Sequence, residues 1–220
     1  MSVTRESVQE LLNSSDFGHR IRGLNQLRQL EPSVGFELIQ PLVKDNNVRI
    51  RYGAVSQLDT LGDQDLTVSL TLLRDRLLND PEPDVQAAAA DSLSALKLTE
   101  AYDDLEQIYH QTTEWIVKFS IIAALGELGE PRSFQILEDA LKSDTSLIQT
   151  AAISSLGELG DPRAVPLLIP FATNSDWQIR YRLVQALVNL GGEEAKAVLE
   201  TLANDSVEQV ASVAQDGLKA

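Results

Sequence analysis

The chain has 220 residues, of which 43% are apolar, and it has no cysteine and a net charge of -15. The absence of cysteine excludes disulfides, thiolate metal sites and cysteine nucleophiles, and the negative charge makes general nucleic-acid binding unfavourable because the chain repels phosphates. No apolar run of roughly 18 residues occurs, and the start MSVTRESVQELL lacks the basic head and apolar core of a signal peptide, so we expect a cytoplasmic protein without membrane insertion.

One apolar pattern recurs from end to end of the chain. An anchor residue is followed eight positions later by Leu, and in the six copies that are long enough by another Leu at position +11. In chain order the anchors are His19, Ile50, Val85, Val117, Ile148, Ile179 and Val210. Positions 0, +4, +8 and +11 lie on one stripe of an α-helix. The pattern therefore predicts a repeat protein in which each repeat contributes one long helix, which we call helix B.

The segments between the long helices carry a shorter apolar pattern, which predicts a helix A before each helix B. Examples are Phe134, Leu137 and Leu141 in one repeat and Val165, Leu168 and Phe171 in the next. Gly62, Gly129, Gly160 and Gly191 follow the second Leu of their repeats and are expected to end helix B in the left-handed conformation. The third repeat departs from this pattern, since its anchor follows the previous one after 35 residues (50 to 85) and no Gly follows Leu96.

A single pair of short helices has too little core to fold alone, and stacked pairs join their apolar stripes into one core. We therefore predict an all-α fold, a right-handed α-solenoid of six to seven helix pairs. No Pro/Gly/Ser-rich linker interrupts the register, which favours a single domain over residues 1–220.

Aromatic and basic residues recur on the face of helix B opposite the Leu stripe. Position -2 is Trp in two repeats and position +2 is Tyr or Phe in three, so that two of the repeats carry i,i+4 aromatic pairs. The predicted ligand-binding residues are Arg49, Arg51, Tyr52, Trp115, Lys118, Phe119, Trp177, Arg180, Tyr181 and Arg182. Such a face suits an apolar, planar, anionic ligand or a partner surface. The alternative is that the rings wedge between helices and the arginines pair with acidic neighbours on the next repeat.

The small residues Thr150 and Ser154 lie between the two aromatic pairs in sequence. We expect them to form the floor of a groove with Trp115/Phe119 on one side and Trp177/Tyr181 on the other. With two histidines in different repeats and no known nucleotide or hydrolase motif, the sequence predicts no metal site and no cofactor.

Three segments resemble the short HEAT-like repeat named after phycobilisome lyases: IQTAAISSLGELGDPRAVPLLIPFA (148–172), VKFSIIAALGELGEPRSFQILEDAL (117–141) and IRYRLVQALVNLGGEEAKAVLETLA (179–203). In its length, its lack of Cys and its run of repeats, the whole chain resembles the cyanobacterial lyase-related phycobilisome degradation proteins of the non-bleaching type B group. This resemblance implies HEAT-like helix pairs, and phycobiliproteins of the phycocyanin type with their covalently bound bilins as partners.

The resemblance further implies that the chain detaches or handles a bilin that a thioether joins to a carrier cysteine. Reversal of that addition needs a base that removes a proton from the bilin and a donor to the departing sulfur. Glu114 and Asp176, each next to a groove Trp, are the candidate catalytic residues, although helix N-capping also explains their positions. Two alternatives remain open: a non-catalytic adaptor that docks antenna proteins for turnover or assembly, and a generic HEAT scaffold for another protein partner. The oligomeric state is left open.

Overall fold

The computed structural model describes residues 3–219, and helices are the only regular secondary structure in that range. Helix A of successive repeats is α1 (Arg5–Leu12), α3 (Pro32–Ile39), α5 (Leu66–Asn79), α7 (Tyr102–Gln111), α9 (Ser133–Ala140), α11 (Ala164–Leu168) and α13 (Glu193–Leu202). Helix B is α2 (Phe17–Gln26), α4 (Val48–Leu61), α6 (Pro83–Ala95), α8 (Trp115–Leu128), α10 (Ser146–Leu159), α12 (Trp177–Leu190) and α14 (Glu208–Gly217). The predicted all-α succession of A and B helices is confirmed, with seven pairs in the described range.

The chain forms two compact units, and the first ends at Ile121 while the second begins at Ile122, inside α8. In the first unit α4 packs against α2 and α6, and in the second unit α12 packs against α10 and α14. Helix B thus stacks on helix B from repeat to repeat within each unit. The single domain over residues 1–220 stays a prediction.

The predicted register of the apolar stripe is confirmed by burial. The Leu at position +8 is completely buried in six repeats, namely at Leu27, Leu58, Leu93, Leu125, Leu156 and Leu187. In the seventh repeat Leu218 is half-buried, and the polar anchor His19 of the first repeat is exposed. The stripe is therefore weakest in the first and last repeats.

Three of the four predicted glycine caps have positive φ angles, at Gly129 (73°), Gly160 (72°) and Gly191 (65°). Gly160 has the predicted left-handed helical conformation, whereas Gly191, with a ψ of -165°, lies outside that region. The prediction for Gly62 was wrong, because its φ is -72° and the chain continues into a 3-10 turn. A Cβ on Gly62 would lie 2.7 Å from Leu96 Cδ1 and 2.8 Å from Ser69 Oγ. Ser69 Oγ also donates a hydrogen bond to the Gly62 carbonyl at 2.8 Å. Close packing, and not a left-handed backbone, explains this glycine.

Where the third repeat lacks a glycine, Lys97 ends α6 in the left-handed conformation with φ 55°. Its N–H donates to the Ser94 carbonyl at 2.9 Å, and the next N–H, of Leu98, donates to the Leu93 carbonyl at 3.0 Å. An L side chain in this conformation costs about 1–2 kcal/mol relative to the right-handed one. The hydrogen bonds of the cap hold Lys97 there despite this cost.

Lys97→Gly is expected to raise the free energy of unfolding by about 0.5–1 kcal/mol, because glycine removes the steric cost but adds entropy to the unfolded chain. Urea denaturation followed by circular dichroism measures this change. Lys97→Ala is the control, since it removes the same charge but keeps a Cβ. Equal stabilisation by both variants would show that the charge, and not the backbone, sets the stability here.

Glycine also permits close approach of neighbouring B helices in the second unit. A Cβ on Gly157 would lie 2.6 Å from the Ala186 Cα, and one on Gly126 would lie 2.5 Å from the Ser155 Cβ. In both cases a Gly at position +9 faces a small residue at position +7 of the next repeat. These contacts bring the backbones of α8, α10 and α12 together at fixed points.

Candidate functional site

The predicted aromatic positions on helix B are solvent-accessible. Trp115 is 61% exposed, Tyr52 48% and Trp177 41%, while Phe119 and Tyr181 are half-buried. The rings of Trp177 and Tyr181 meet edge to face, with centroids 6.4 Å apart, as their i,i+4 spacing predicts. The Leu stripe of helix B is buried, whereas these large aromatic side chains are exposed and mark a surface that can contact a ligand or partner.

Sequence reasoning missed Phe17, which is 39% exposed. It occupies position -2 of the first repeat, as Trp115 and Trp177 do in theirs. The shared position was the signal that could have found it. All three residues are the first residue of a B helix.

Arg51 does not have the environment of a ligand-binding cation. It is 9% exposed, and its Nε and Nη2 donate to the two carboxylate oxygens of Asp80 at 2.9 and 3.0 Å. Its Nη1 donates to the carbonyl of Asp45 at 2.9 Å. Arg76 Nη1 also donates to Asp80, at 3.0 Å. Arg51 was predicted to bind a ligand, but in the structure it forms an ion pair between repeats, which is the alternative that the sequence left open.

Arg180 makes the same contacts in the second unit. Its Nε and Nη2 donate to Asp205 at 2.7 and 2.9 Å, and its Nη1 donates to the carbonyl of Asn174 at 2.6 Å. Arg20 pairs with Asp45 at the equivalent place in the first unit. Arg180 is thus also an ion-pair residue between repeats, because its donors are directed at protein acceptors.

The pairing follows a rule that can be read in the sequence. Position +1 of one repeat corresponds to position -5 of the next, and the two change together. In chain order they are Arg20/Asp45, Arg51/Asp80, Gln86/Thr112, Lys118/Ser143, Gln149/Asn174 and Arg180/Asp205. In each repeat the side chain at position -5 also accepts the backbone N–H two residues later. Asp occurs at position -5 only where position +1 of the preceding repeat is Arg.

The ion pairs of Asp80 and Asp205 lower the pKa of these two carboxyl groups. Burial by itself raises the pKa of Asp80, but the hydrogen bonds from Arg51 and the Glu82 N–H, with the charges of Arg51 and Arg76, outweigh it and leave the pKa below its usual value. The pKa of Asp205 is lowered mainly by its hydrogen bonds from Arg180. Both carboxylates are therefore held in the ionised form.

The other predicted cations lie nearer to solvent. Arg49 and Arg182 are exposed, and Arg182 Nη1 donates to Gln185 Oε1 at 3.0 Å. Lys118 is half-buried, and its Nζ lies 5.0 Å from the ring centroid of Tyr109 on α7. Arg49 and Arg182 are consequently the predicted arginines that remain accessible to an anionic ligand.

The two candidate catalytic acids lie at the starts of B helices. Asp176 is the N-cap of α12 and accepts the N–H of Gln178 at 2.9 Å. Glu114 precedes α8 directly and is exposed. The capping contact gives Asp176 a structural role, while Glu114 remains available for a ligand. Their catalytic role stays a prediction.

A cleft of about 490 Å³ in the first unit contains two of the predicted residues, Arg49 and Tyr52. We call it the Tyr52 cleft. Its lining further comprises Val48, Glu82, Asp84, Ala87, Ala88, Asp91, Ile116 and Ser120. These residues lie on, or immediately before, α4, α6 and α8, and Ser120 Oγ donates to Asp91 Oδ2 at 3.3 Å, which links α8 to α6.

The Tyr52 cleft exists because position +2 of the third repeat is Ala87, where its neighbours carry Tyr52 and Phe119. Small residues beside a large ring leave an open floor. A cleft of about 540 Å³ in the second unit includes the predicted residues Ser154 and Arg182. The predicted groove between the pairs Trp115/Phe119 and Trp177/Tyr181 stays a prediction.

Within residues 3–219, no three acidic or histidine side chains are grouped so as to hold a metal ion. No helix in the same range has the length and apolar character needed to cross a membrane.

Structural comparison finds similar helical repeat proteins. A chain of the complex of CpcE and CpcF of phycocyanin lyase from Nostoc sp. PCC7120 superposes with a TM-score of 0.68 at 24% identity, over 99% of this chain and 88% of that one. The Escherichia coli protein YibA gives 0.67 at 17% identity, over 98% and 81%. The archaeal HEAT-like repeats protein from Thermococcus onnurineus NA1 gives 0.60 at 13% identity, over 100% and 97%. At these identities the likeness concerns the fold.

A comparison with curated protein sequences gives no match. The family model described as HEAT repeats matches residues 5–94, 70–157 and 146–219, which together cover nearly the whole chain. With the stacked helix pairs described above, this match establishes the family: the chain is a HEAT-repeat protein.

Proposed function

We propose that this HEAT-repeat protein binds phycobiliproteins of the phycocyanin type and handles their bilin chromophore when phycobilisomes are degraded. The observation that carries the proposal is the exposure of Tyr52, Trp115 and Trp177 on helix B. The resemblance of the repeats to those of phycobilisome lyases supports it, as does the likeness in fold to a chain of the phycocyanin lyase complex. The fold alone is compatible with many partners, so the aromatic surface is the specific part of the argument.

A bilin matches the chemistry of this surface. It is a flat conjugated tetrapyrrole with two propionates, and exposed rings can cover its faces, each contributing about 0.5–1.5 kcal/mol beyond the burial of area. Arg49 and Arg182, which are exposed, can bind a propionate through two parallel hydrogen bonds. Tyr52 and Arg49 line one cleft, so that an apolar and an anionic part of the pigment can be held together.

Detachment of the pigment is the finer part of the proposal. In this proposal Glu114, which is exposed and next to Trp115, takes a proton from a bilin that covers this ring, while the proton for the departing sulfur comes from solvent. The second candidate function is a non-catalytic adaptor that docks antenna proteins. The capping contact of Asp176 favours it, because a carboxylate that accepts a hydrogen bond at a helix start is less available as a base.

Free phycocyanobilin is expected to quench the intrinsic fluorescence, because both tryptophans of the chain, Trp115 and Trp177, are exposed. Trp115→Ala and Trp177→Ala should each weaken bilin binding by roughly three- to tenfold if one ring contact is lost. Leu66→Ala is the matched control, since Leu66 is 46% exposed but begins a helix A. An equal effect of Leu66→Ala would show that binding is unspecific.

Mixing the protein with holo-phycocyanin separates the candidate functions. Bilin handling changes the visible absorption spectrum of phycocyanin and forms a complex in size-exclusion chromatography. An adaptor forms the complex without a spectral change and without quenching by free bilin. Absence of any complex would overturn the proposal and leave a HEAT scaffold for another protein.

A further inference from the structure

The Tyr52 cleft has more negative charge than a site for an anionic pigment alone requires. It is lined by the exposed carboxylates of Glu82 and Asp84, by Asp91, which accepts a hydrogen bond from Ser120, and by the cation Arg49. Glu82 is the N-cap of α6 but makes no side-chain capping hydrogen bond, and Asp84 follows in the first turn. Both side chains are exposed. Two carboxylates are thus held at the cleft without a capping contact that accounts for Glu82.

The remaining lining suits the stem of a long basic side chain. Ala87 and Ala88, both 5% exposed, form an apolar floor. The ring of Tyr52, 48% exposed, borders it. Lysine and arginine pack their methylene groups on apolar surface while their charged ends stay near acidic groups or water.

We propose that the Tyr52 cleft binds a lysine or arginine side chain of the phycobiliprotein, the one that neutralises a bilin propionate in the carrier. The inference rests on the proposed function. A propionate held within a protein needs a cationic partner. The cleft has carboxylates that can replace the propionate as partner of the cation, and an arginine that can replace the cation as partner of the propionate. Glu82 and Asp84 take the cation, and Arg49 takes the propionate. This exchange of partners weakens the hold of the carrier on its pigment without any covalent step.

Charge complementarity favours this occupant. The chain has a net charge of -15, so an acidic partner surface is repelled and association depends on local cations. A segment with exposed lysine or arginine meets the exposed carboxylates of Glu82 and Asp84 in the cleft. Free bilin, which is an anion with pyrrole N–H groups, has no group that needs two carboxylates.

The test compares holo-phycocyanin with free phycocyanobilin as ligands of the double variant Glu82→Gln/Asp84→Asn. The variant should bind holo-phycocyanin roughly three- to tenfold more weakly at low salt, the range that two partly exposed ion pairs give. The difference should shrink at high salt because exposed pairs are screened. Binding of free phycocyanobilin should be unchanged or tighter, since neither carboxylate attracts a propionate.

The control is Glu193→Gln/Glu194→Gln, which neutralises two exposed carboxylates in the first turn of α13 and so matches the changes in net charge and helix-end charge. It should bind holo-phycocyanin like the wild type.

Equal affinity of the cleft variant and the wild type would overturn the inference while leaving the proposed function intact. Weaker binding of free phycocyanobilin by the cleft variant would also overturn it, because the carboxylates would then contact the pigment. Failure of the wild type to bind holo-phycocyanin would overturn the proposed function itself. The single variant Asp84→Asn gives the same comparison if the double variant does not fold.

Discussion

Asp80→Asn is expected to lower the free energy of unfolding by about 3–5 kcal/mol, the loss that follows when one partner of a buried ion pair is removed. The side chain of Asp80 is completely buried, and those of Arg51 and Arg76 are 10% and 14% exposed. Without the carboxylate charge, two guanidinium groups share one neutral amide. Because the pair joins the second repeat to the third, the variant also weakens the stacking of α4 on α6.

Thermal or urea denaturation measures this loss, with Asp59→Asn as the matched control. Asp59 also pairs with an arginine of the preceding repeat, Arg28, but the side chains of Arg28 and Asp59 are 52% and 39% exposed. An exposed pair contributes about 0–1 kcal/mol. Similar small losses in both variants would show that water screens the Arg51–Asp80 pair.

The pH dependence of stability follows from the same pair. The pKa of Asp80 is lower in the folded protein than in the unfolded chain, where an aspartate titrates near about 3.9. Its contribution is therefore complete above that value and is lost as the pH falls through the folded pKa. The difference in unfolding free energy between wild type and Asp80→Asn should be constant from about pH 5 to 8 and shrink below about pH 4. A difference that persists at low pH would contradict a titrating Asp80.

Leu156→Ala should lower the free energy of unfolding by about 2–5 kcal/mol, since it removes a buried side chain and leaves a cavity. Leu156 is completely buried at position +8 of α10, and its neighbour Gly157 is in close contact with α12. The rigid contact limits how far the helices can close over the cavity. Chemical denaturation gives the measured change.

Leu147→Ala is the control for this prediction, because Leu147 lies on the same helix and is 42% exposed. Surface substitutions usually change stability by less than about 0.5 kcal/mol. A melting temperature of Leu156→Ala equal to that of Leu147→Ala would contradict the assigned register of α10.

The sequence predicts the fold well because one residue type carries the register. The Leu at position +8 is buried wherever a repeat has neighbours on both sides in the chain, and the glycine after the second Leu has a positive φ at three of its four predicted places. The prediction for Gly62 failed because a glycine can be required either by a positive φ or by close packing of neighbouring atoms. Only the position of Leu96 and Ser69 around it separates these two reasons.

The candidate site is less predictable, because neighbouring positions on one helix differ in environment. Arg49 and Arg51 both flank the same turn of α4, yet Arg49 is exposed and Arg51 is buried against Asp80. Helical periodicity places both near the polar face. The information that distinguishes them lies in the turn before the helix B of the next repeat, where Asp80 pairs with Arg51. A single helix examined alone does not contain it.

The Tyr52 cleft was missed for a related reason. The cleft arises from an alanine, Ala87, at a position where the two neighbouring repeats carry Tyr52 and Phe119. A small residue between two aromatic residues at the same position of the neighbouring repeats predicts a concave surface. Alignment of the repeats against one another, column by column, contains that signal.

The correspondence between position +1 and position -5 of the next repeat restricts how such a chain can change its number of repeats. Excision of the second repeat would bring Arg20 opposite Asp80, and the lost pair would be replaced by one of the same kind. Excision of the third repeat would bring Arg51 opposite Thr112, and a buried guanidinium would lose its carboxylate. The repeats are therefore modules with matched ends. Gain or loss of a module by unequal recombination is tolerated where the new neighbours carry the same junction, so the order of these residues along the chain limits which shorter and longer descendants can fold.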